Sequence, residues 1–209
     1  MSGPPTRSHR VKIWAVVLLT LTGLVAAIVA VLAVTMWPET AWIRQQEQEA
    51  LPLLKEVARL GGDGTILSFD FLAKTYDLSI DLSRTKIGDD ELASLARMPA
   101  FRHVHELSLA DTAVTDAGVG LLARCQALHA LDLSRTKVTD NALRAIAGCR
   151  SLSTLSASGT KVTDIGVEAL IQHRDTLDLI SLDITDTPVT EEGVQKLKKA
   201  WPMLYIKPD

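Results

Sequence analysis

Charge is missing from one long stretch of this 209-residue chain: no Asp, Glu, Lys or Arg occurs between Lys12 and Glu39. Aromatic residues are scarce, at 4%, and there are only two cysteines, Cys125 and Cys149. Two cysteines exclude a disulfide-dense scaffold, and without C-x-x-C or further thiolates they do not make a cysteine zinc site. The motifs G-x-S-x-G, H-E-x-x-H, G-x-x-x-x-G-K-[ST] and G-x-G-x-x-G are absent, so no familiar hydrolase, metalloprotease or nucleotide-binding signature is present and no catalytic residue is assigned.

The uncharged stretch is the first positive feature. Ile13 to Met36 is almost wholly Ile, Val, Leu, Ala and Thr, and at ~1.5 Å per residue it reaches roughly 36 Å, enough for the ~30 Å hydrocarbon layer. Trp14 and Trp37 bracket it, at the depth indole rings prefer. A cleavable leader shares the basic start and has a small-residue segment at Val31-Leu32-Ala33. Leader cores are usually shorter, at about 7–15 apolar residues, which favours an uncleaved anchor. Arg7, Arg10 and Lys12 precede the run with no acid, placing residues 1–12 in the cytoplasm, residues 13–37 across the bilayer and the remainder on the extracytoplasmic side, periplasmic or extracellular. That remainder holds 19 basic against 25 acidic residues, a formal charge of −6. Such a balance disfavours nucleic acid or anionic lipid as its ligand.

Beyond a polar connector over 38–49, a period emerges. Leu131-Asp132-Leu133-Ser134-Arg135-Thr136-Lys137-Val138-Thr139-Asp140 recurs around Thr85, Thr112, Thr160 and Thr187, with marker threonines 27, 24, 24 and 27 residues apart. That spacing and the frame Leu128-x-x-Leu131-x-Leu133-x-x-Thr136-x-Val138 resemble the leucine-rich repeat family, with threonine in place of the usual Asn or Cys. The Val-Thr-Asp segment and the helix ending near Cys125 and Cys149 look like the cysteine-containing subtype of F-box adaptors. The threonine variant behind an anchor looks more like small bacterial membrane-anchored repeat proteins. The resemblance covers about residues 51–209 and implies an α/β solenoid, a parallel sheet of short strands with one helix per repeat.

The residues carry the same reading unaided. Leu131 and Leu133 alternate inward along a short strand, the Thr136 hydroxyl can bond backbone groups freed by the turn, and five stacked threonines are expected to form a ladder between coils. Thr139 suits a helix N-cap, with Asp140 near the positive end of the dipole. Leu92/Leu95, Val119/Leu122, Leu143/Ile146, Val167/Leu170 and Val194/Leu197 make the apolar helix stripe. Solenoid ends need covers. Residues 50–76 supply one, an amphipathic helix with Pro52 near its start, stopped by Gly61-Gly62, then a degenerate strand over Thr65–Phe71. Residues 77–209 hold the repeats and a C-terminal strand at Leu204-Tyr205-Ile206.

Candidate partner-binding positions are the exposed strand positions, taken by column: Asp81, Ser108, Asp132, Ser156 and Asp183 four before each threonine, and Arg84, Asp111, Arg135 and Asp186 one before it. Their alternating signs also suit a solvated face tied by local ion pairs, because binding hot spots favour aromatic or Arg anchors. Cys125 and Cys149 share one repeat position, either as small buried thiols or as a bridged pair. His105 and His129 share another, with His103 close by, so a metal or hydrolytic site is an alternative, though the sequence offers no second shell for it. The reading that emerges is a noncatalytic, membrane-anchored interaction module that requires no cofactor, binds a protein or envelope component and meets the lipid bilayer through residues 13–37. A cytosol-facing F-box-like adaptor is the other alternative.

Overall fold

The computed structural model describes residues 41–70, 75–123 and 125–207. The expected membrane span over 13–37 and the tail before it lie outside the described residues. Among the described residues no helix is long and apolar enough to cross a membrane. The chain divides into two compact units, Met1–Gln45 and Gln46–Asp209.

Residues 41–59 are helical, and 46–59 form α1 of the second unit. Gln46, Ala50, Leu53 and Val57 are buried on one face at helical spacing. Pro52 lies inside this helix on its exposed side, not at its start. Gly61, at φ 87°, ends it. Gly62 N–H reaches Val57 O and Gly61 N–H reaches Ala58 O, the paired bonds that satisfy the last carbonyls of a helix.

Seven strands form one sheet in chain order: β1 Asp63–Asp70, β2 Thr75–Asp81, β3 Val104–Ser108, β4 Ala130–Asp132, β5 Thr154–Ser156, β6 Ser181–Asp183 and β7 Tyr205–Ile206. From β2 onward all pairs are parallel, and Leu107, Leu131, Leu155 and Leu182 stand in register. β1 differs from the expected parallel arrangement. It runs antiparallel to β2 with a bulge between Ile66 and Ser68. Only residues 71–74 separate the two strands, and a parallel crossover needs a dozen or more. β1 is thus a hairpin flap over the first repeat strand.

Helices α2 Asp89–Ala96, α3 Asp116–Leu122, α4 Asp140–Ile146, α5 Asp164–Ile171 and α6 Glu191–Ala200 cover one face of the sheet. All the paired stripe residues are fully buried except Val194, which is partly so. Each such side chain contributes roughly 1.5–3 kcal/mol of burial, and the single core runs unbroken from Ala50 to Leu204. The two longer spacings also find their cause. The Thr85–Thr112 interval holds an extra 3-10 helix, Pro99–His103, and the Thr160–Thr187 interval holds a run of turns over 172–176.

Candidate binding surface

Each repeat threonine donates its hydroxyl to the carbonyl three residues back: Thr85 to Leu82, Thr112 to Leu109, Thr136 to Leu133, Thr160 to Ala157 and Thr187 to Ile184, at 2.5–2.7 Å. These bonds stay inside each coil, so the expected ladder of threonines between coils does not form. Coil-to-coil pairing is carried instead by the residue before each threonine. Arg84, Asp111, Arg135, Gly159 and Asp186 all sit in the left-handed region, at φ 54–65°. In that conformation the amides of the first four point along the sheet to Ala110, Ser134, Ser158 and Thr185 carbonyls. Four of the nine candidate positions, Arg84, Asp111, Arg135 and Asp186, are therefore turn residues rather than strand-face residues. Arg135 and Asp111 form a two-pronged ion pair at 2.5–2.6 Å, and it lowers the Asp111 carboxyl pKa.

The remaining five do lie on the strands, on the side away from the helices. Helices need roughly 10 Å of spacing and strands ~4.8 Å, so this is the concave side. Asp132 and Asp183 accept from the amide and hydroxyl two residues on, and Asp81 accepts from the Ser83 amide. The Ser134 hydroxyl also meets the Ser156 hydroxyl at 2.7 Å. Hydrogen bonds from Ser83, led by its hydroxyl, hold the Asp81 carboxyl below its usual range. Burial raises Asp183, but the bonds from Lys207 and Thr185 outweigh it and the net shift is downward.

A second outward row, two residues earlier, escaped the sequence reading: Ser79, Glu106, Ala130, Thr154 and Ser181. The strand alternation that placed Asp132 outward places Ala130 outward too, and this was the available signal. Both rows line a shallow groove of about 400 Å³ that contains Asp81, Glu106 and Asp132. Its charged side chains are all acidic, and Lys207, just after β7, is paired with Asp183 at 2.8 Å. The arginines stand at the turn rim.

The recurring Asp after each capping threonine does more than face the dipole. Thr115, Thr139, Thr163 and Thr190 cap α3 to α6. Each also gives its amide and hydroxyl to the carboxylate one repeat earlier: Asp89 to Thr115, Asp116 to Thr139, Asp140 to Thr163 and Asp164 to Thr190, at 2.5–2.9 Å. The carboxylate accepts the hydroxyl's hydrogen bond, and the oxygen lone pairs stay free to cap the helix. This inter-repeat clamp is the structural use of the periodic acids.

The three histidines do not converge. His103 stacks on Tyr76 with ring centroids 4.3 Å apart, and its Nε2 accepts from Arg102. Among the described residues no group of three His, Cys, Asp or Glu side chains could hold a metal ion. Cys125 and Cys149 are free and buried, and Cys149 Sγ–H points at the Leu122 carbonyl. Burial pushes both thiols up to about 11.

Compared with known proteins, residues 102–123 and 124–147 match the family model described as Leucine Rich repeat. No curated protein matches the chain. Among similar solved structures is a leucine-rich repeat protein of Leptospira interrogans, 18% identical, with a TM-score of 0.36; the match covers 51% of this chain and 32% of that one. Two successive units match the repeat model, and the same strand–turn–helix unit recurs through the sheet. Residues 102–147 are leucine-rich repeats.

Proposed function

We propose that this chain is a noncatalytic interaction module, anchored by residues 13–37, that presents its repeats on the extracytoplasmic side and binds a protein partner on the concave strand face. The supporting observation is the groove over β2 to β5, solvent-facing, built of small side chains and lined by Asp81, Glu106 and Asp132. Leucine-rich repeat domains serve in protein–protein interaction, and an acidic face selects a basic or hydrogen-bond-donating segment. It repels nucleic acid and anionic lipid. The anchor and the sidedness rest on the charge-free run and its basic N-terminal flank.

The test is crosslinking in native membranes from a photoreactive residue at Thr154, followed by the same capture from a D81N/E106Q/D132N variant. A specific adduct that weakens in the variant and at high salt supports the reading, whereas adducts indifferent to both refute it. Protease added to intact cells, and then to cells with only the outer barrier opened, tests the sidedness. Cleavage only after the cytoplasmic membrane is breached refutes it.

A further inference from the structure

The helical layer changes character where α2 meets α3. The fifth residue of each helix runs Ala93, Gly120, Arg144, Glu168 and Gln195, so α4, α5 and α6 carry long polar side chains where α2 and α3 carry almost nothing. A Cβ on Gly120 would meet no atom within 4 Å. One position on, α3 carries Leu121, 39% exposed, where the other helices carry Ser94, Ala145, Ala169 and Lys196. The core requires neither choice. Glycine weakens a helix interior and here makes room for no neighbour, and a leucine so exposed adds little to packing.

Between the two helices lies a cleft of about 540 Å³. The 3-10 helix Pro99–His103, the insertion that lengthens this interval, forms part of its lining, and buried Phe101 and partly buried Met98 give it apolar surface. Its charged side chains are Arg97 and Arg102, and no acid lines it. Arg102 is shared with Glu49 at 2.8 Å. Arg97 is exposed at the end of α2, and among the described residues no side chain pairs with its guanidinium. The other long interval provides the contrast. There the gap between α5 and α6 is lined by Glu168, Lys196 and Lys199, charges of both signs.

We propose that the α2–α3 cleft is a second docking site, on the convex layer, for an acidic segment of a partner protein. The segment inserts a large apolar side chain against Leu121 and Phe101 and sets a carboxylate on Arg97. A guanidinium takes a carboxylate through two parallel hydrogen bonds, and an apolar pocket ringed by polar groups is the anatomy of an interface hot spot. The concave groove is acidic and this cleft basic, so the two faces select segments of opposite charge. A lipid phosphate would also suit arginine, but the residues beyond Met36 hold 19 basic against 25 acidic side chains, a balance that an anionic bilayer repels.

The full chain in detergent micelles, carrying D81N/E106Q/D132N so that the outcome is independent of the concave face, is panned against a random peptide library on phage. Enriched sequences should join acidic residues to Leu, Phe or Trp. The consensus peptide, labelled with fluorescein, is then titrated by anisotropy. G120Q places on α3 the residue that α6 carries, in open space, and should weaken binding about 30-fold, the size of a hot spot, without lowering the urea midpoint. R97E should weaken binding and flatten its salt dependence, and R144Q on the next helix should leave it unchanged. No enrichment, a consensus without acid, or an affinity that survives G120Q overturns the proposal. So does a dimer in sedimentation that G120Q dissolves, which gives the cleft to a second copy, or uptake of phosphatidylglycerol from mixed micelles that R97E abolishes, which gives it to lipid.

Discussion

Replacing Asp116 with alanine separates two explanations of the acid that follows each capping threonine. If it serves only to face a helix N-terminus, its loss costs about 0.3–1 kcal/mol. Glu191, which opens α6 at the same repeat position, should then cost the same. Asp116 also accepts the Thr139 amide at 2.7 Å and the Thr139 hydroxyl at 2.6 Å from the next coil. A hydrogen bond to a charged group is worth ~1.5–3 kcal/mol when buried. Asp116 and Thr139 are only partly buried, so the two bonds together should be worth about 2–3 kcal/mol, at or below the low end of that range for each. Among the described residues no later threonine reaches Glu191, which accepts only from Gln195. D116A is therefore expected to lose about three times as much as E191A. Urea unfolding of the full chain in mild detergent, followed by far-ultraviolet circular dichroism, gives both values at constant m. A cycle with Thr139→Val should show at least ~1 kcal/mol of coupling. Equal losses in D116A and E191A, or additive losses in the cycle, would refute the clamp.

Four further outcomes follow from the same geometry. Gly118→Ala removes a helix glycine and by propensity should gain about 1 kcal/mol. A Cβ there would lie 2.3 Å from Asp89 Oδ1, so we expect a net loss of ~1–2 kcal/mol instead, measured by the same unfolding; a stabilised variant contradicts the packing. Gly159→Val forces a β-branched residue to φ 65° and should cost ~1–2 kcal/mol, whereas Asp186→Gly at φ 54° should cost nothing, as thermal melts can show. Asp81, Asp164 and Asp183 have carboxyls held below their ordinary values. Their stabilising share is complete above the unfolded carboxylate range near pH 4 and is lost as pH falls through the lower folded values; urea midpoints unchanged between pH 7 and pH 2.5 would contradict this. Burial raises the Cys125 and Cys149 thiols to about 11, so neither should react with iodoacetamide at pH 8 until the chain unfolds, and mass spectrometry reads the labelling directly.

What was legible in the sequence is what repetition fixes. Leu131, Leu133, Val138, Leu143 and Ile146 recur at each period because every coil must present the same apolar positions to its neighbours, and all are buried. The caps were legible in part. Gly61-Gly62 marks the end of α1 through backbone conformation. The antiparallel run of β1 depends on the length of the 71–74 connection, which hydropathy alternation alone does not reveal. The turn column was misplaced because Arg and Asp look like surface residues in any conformation. Gly159 in the same column was the sign that four side chains there tolerate a positive φ.

The periodic and aperiodic residues carry different kinds of information, and that bears on how a binding face can be found in such a chain. A residue present in every coil answers to the coil, as the Asp89, Asp116, Asp140 and Asp164 carboxylates do in clamping the next cap. A residue present in one or two coils answers to something else. Glu106 is acidic where Ser79, Ala130, Thr154 and Ser181 are not. His105 and His129 fill two coils of a column that continues as Ser153 and Ile180. Packing does not require imidazole there, since serine and isoleucine fill the same column later and the ladder of backbone bonds runs through all four. The departures from the period cluster on β3 and β4, next to the groove, and that is where substitutions should alter binding while leaving the unfolding midpoint within about 0.5 kcal/mol of the wild type.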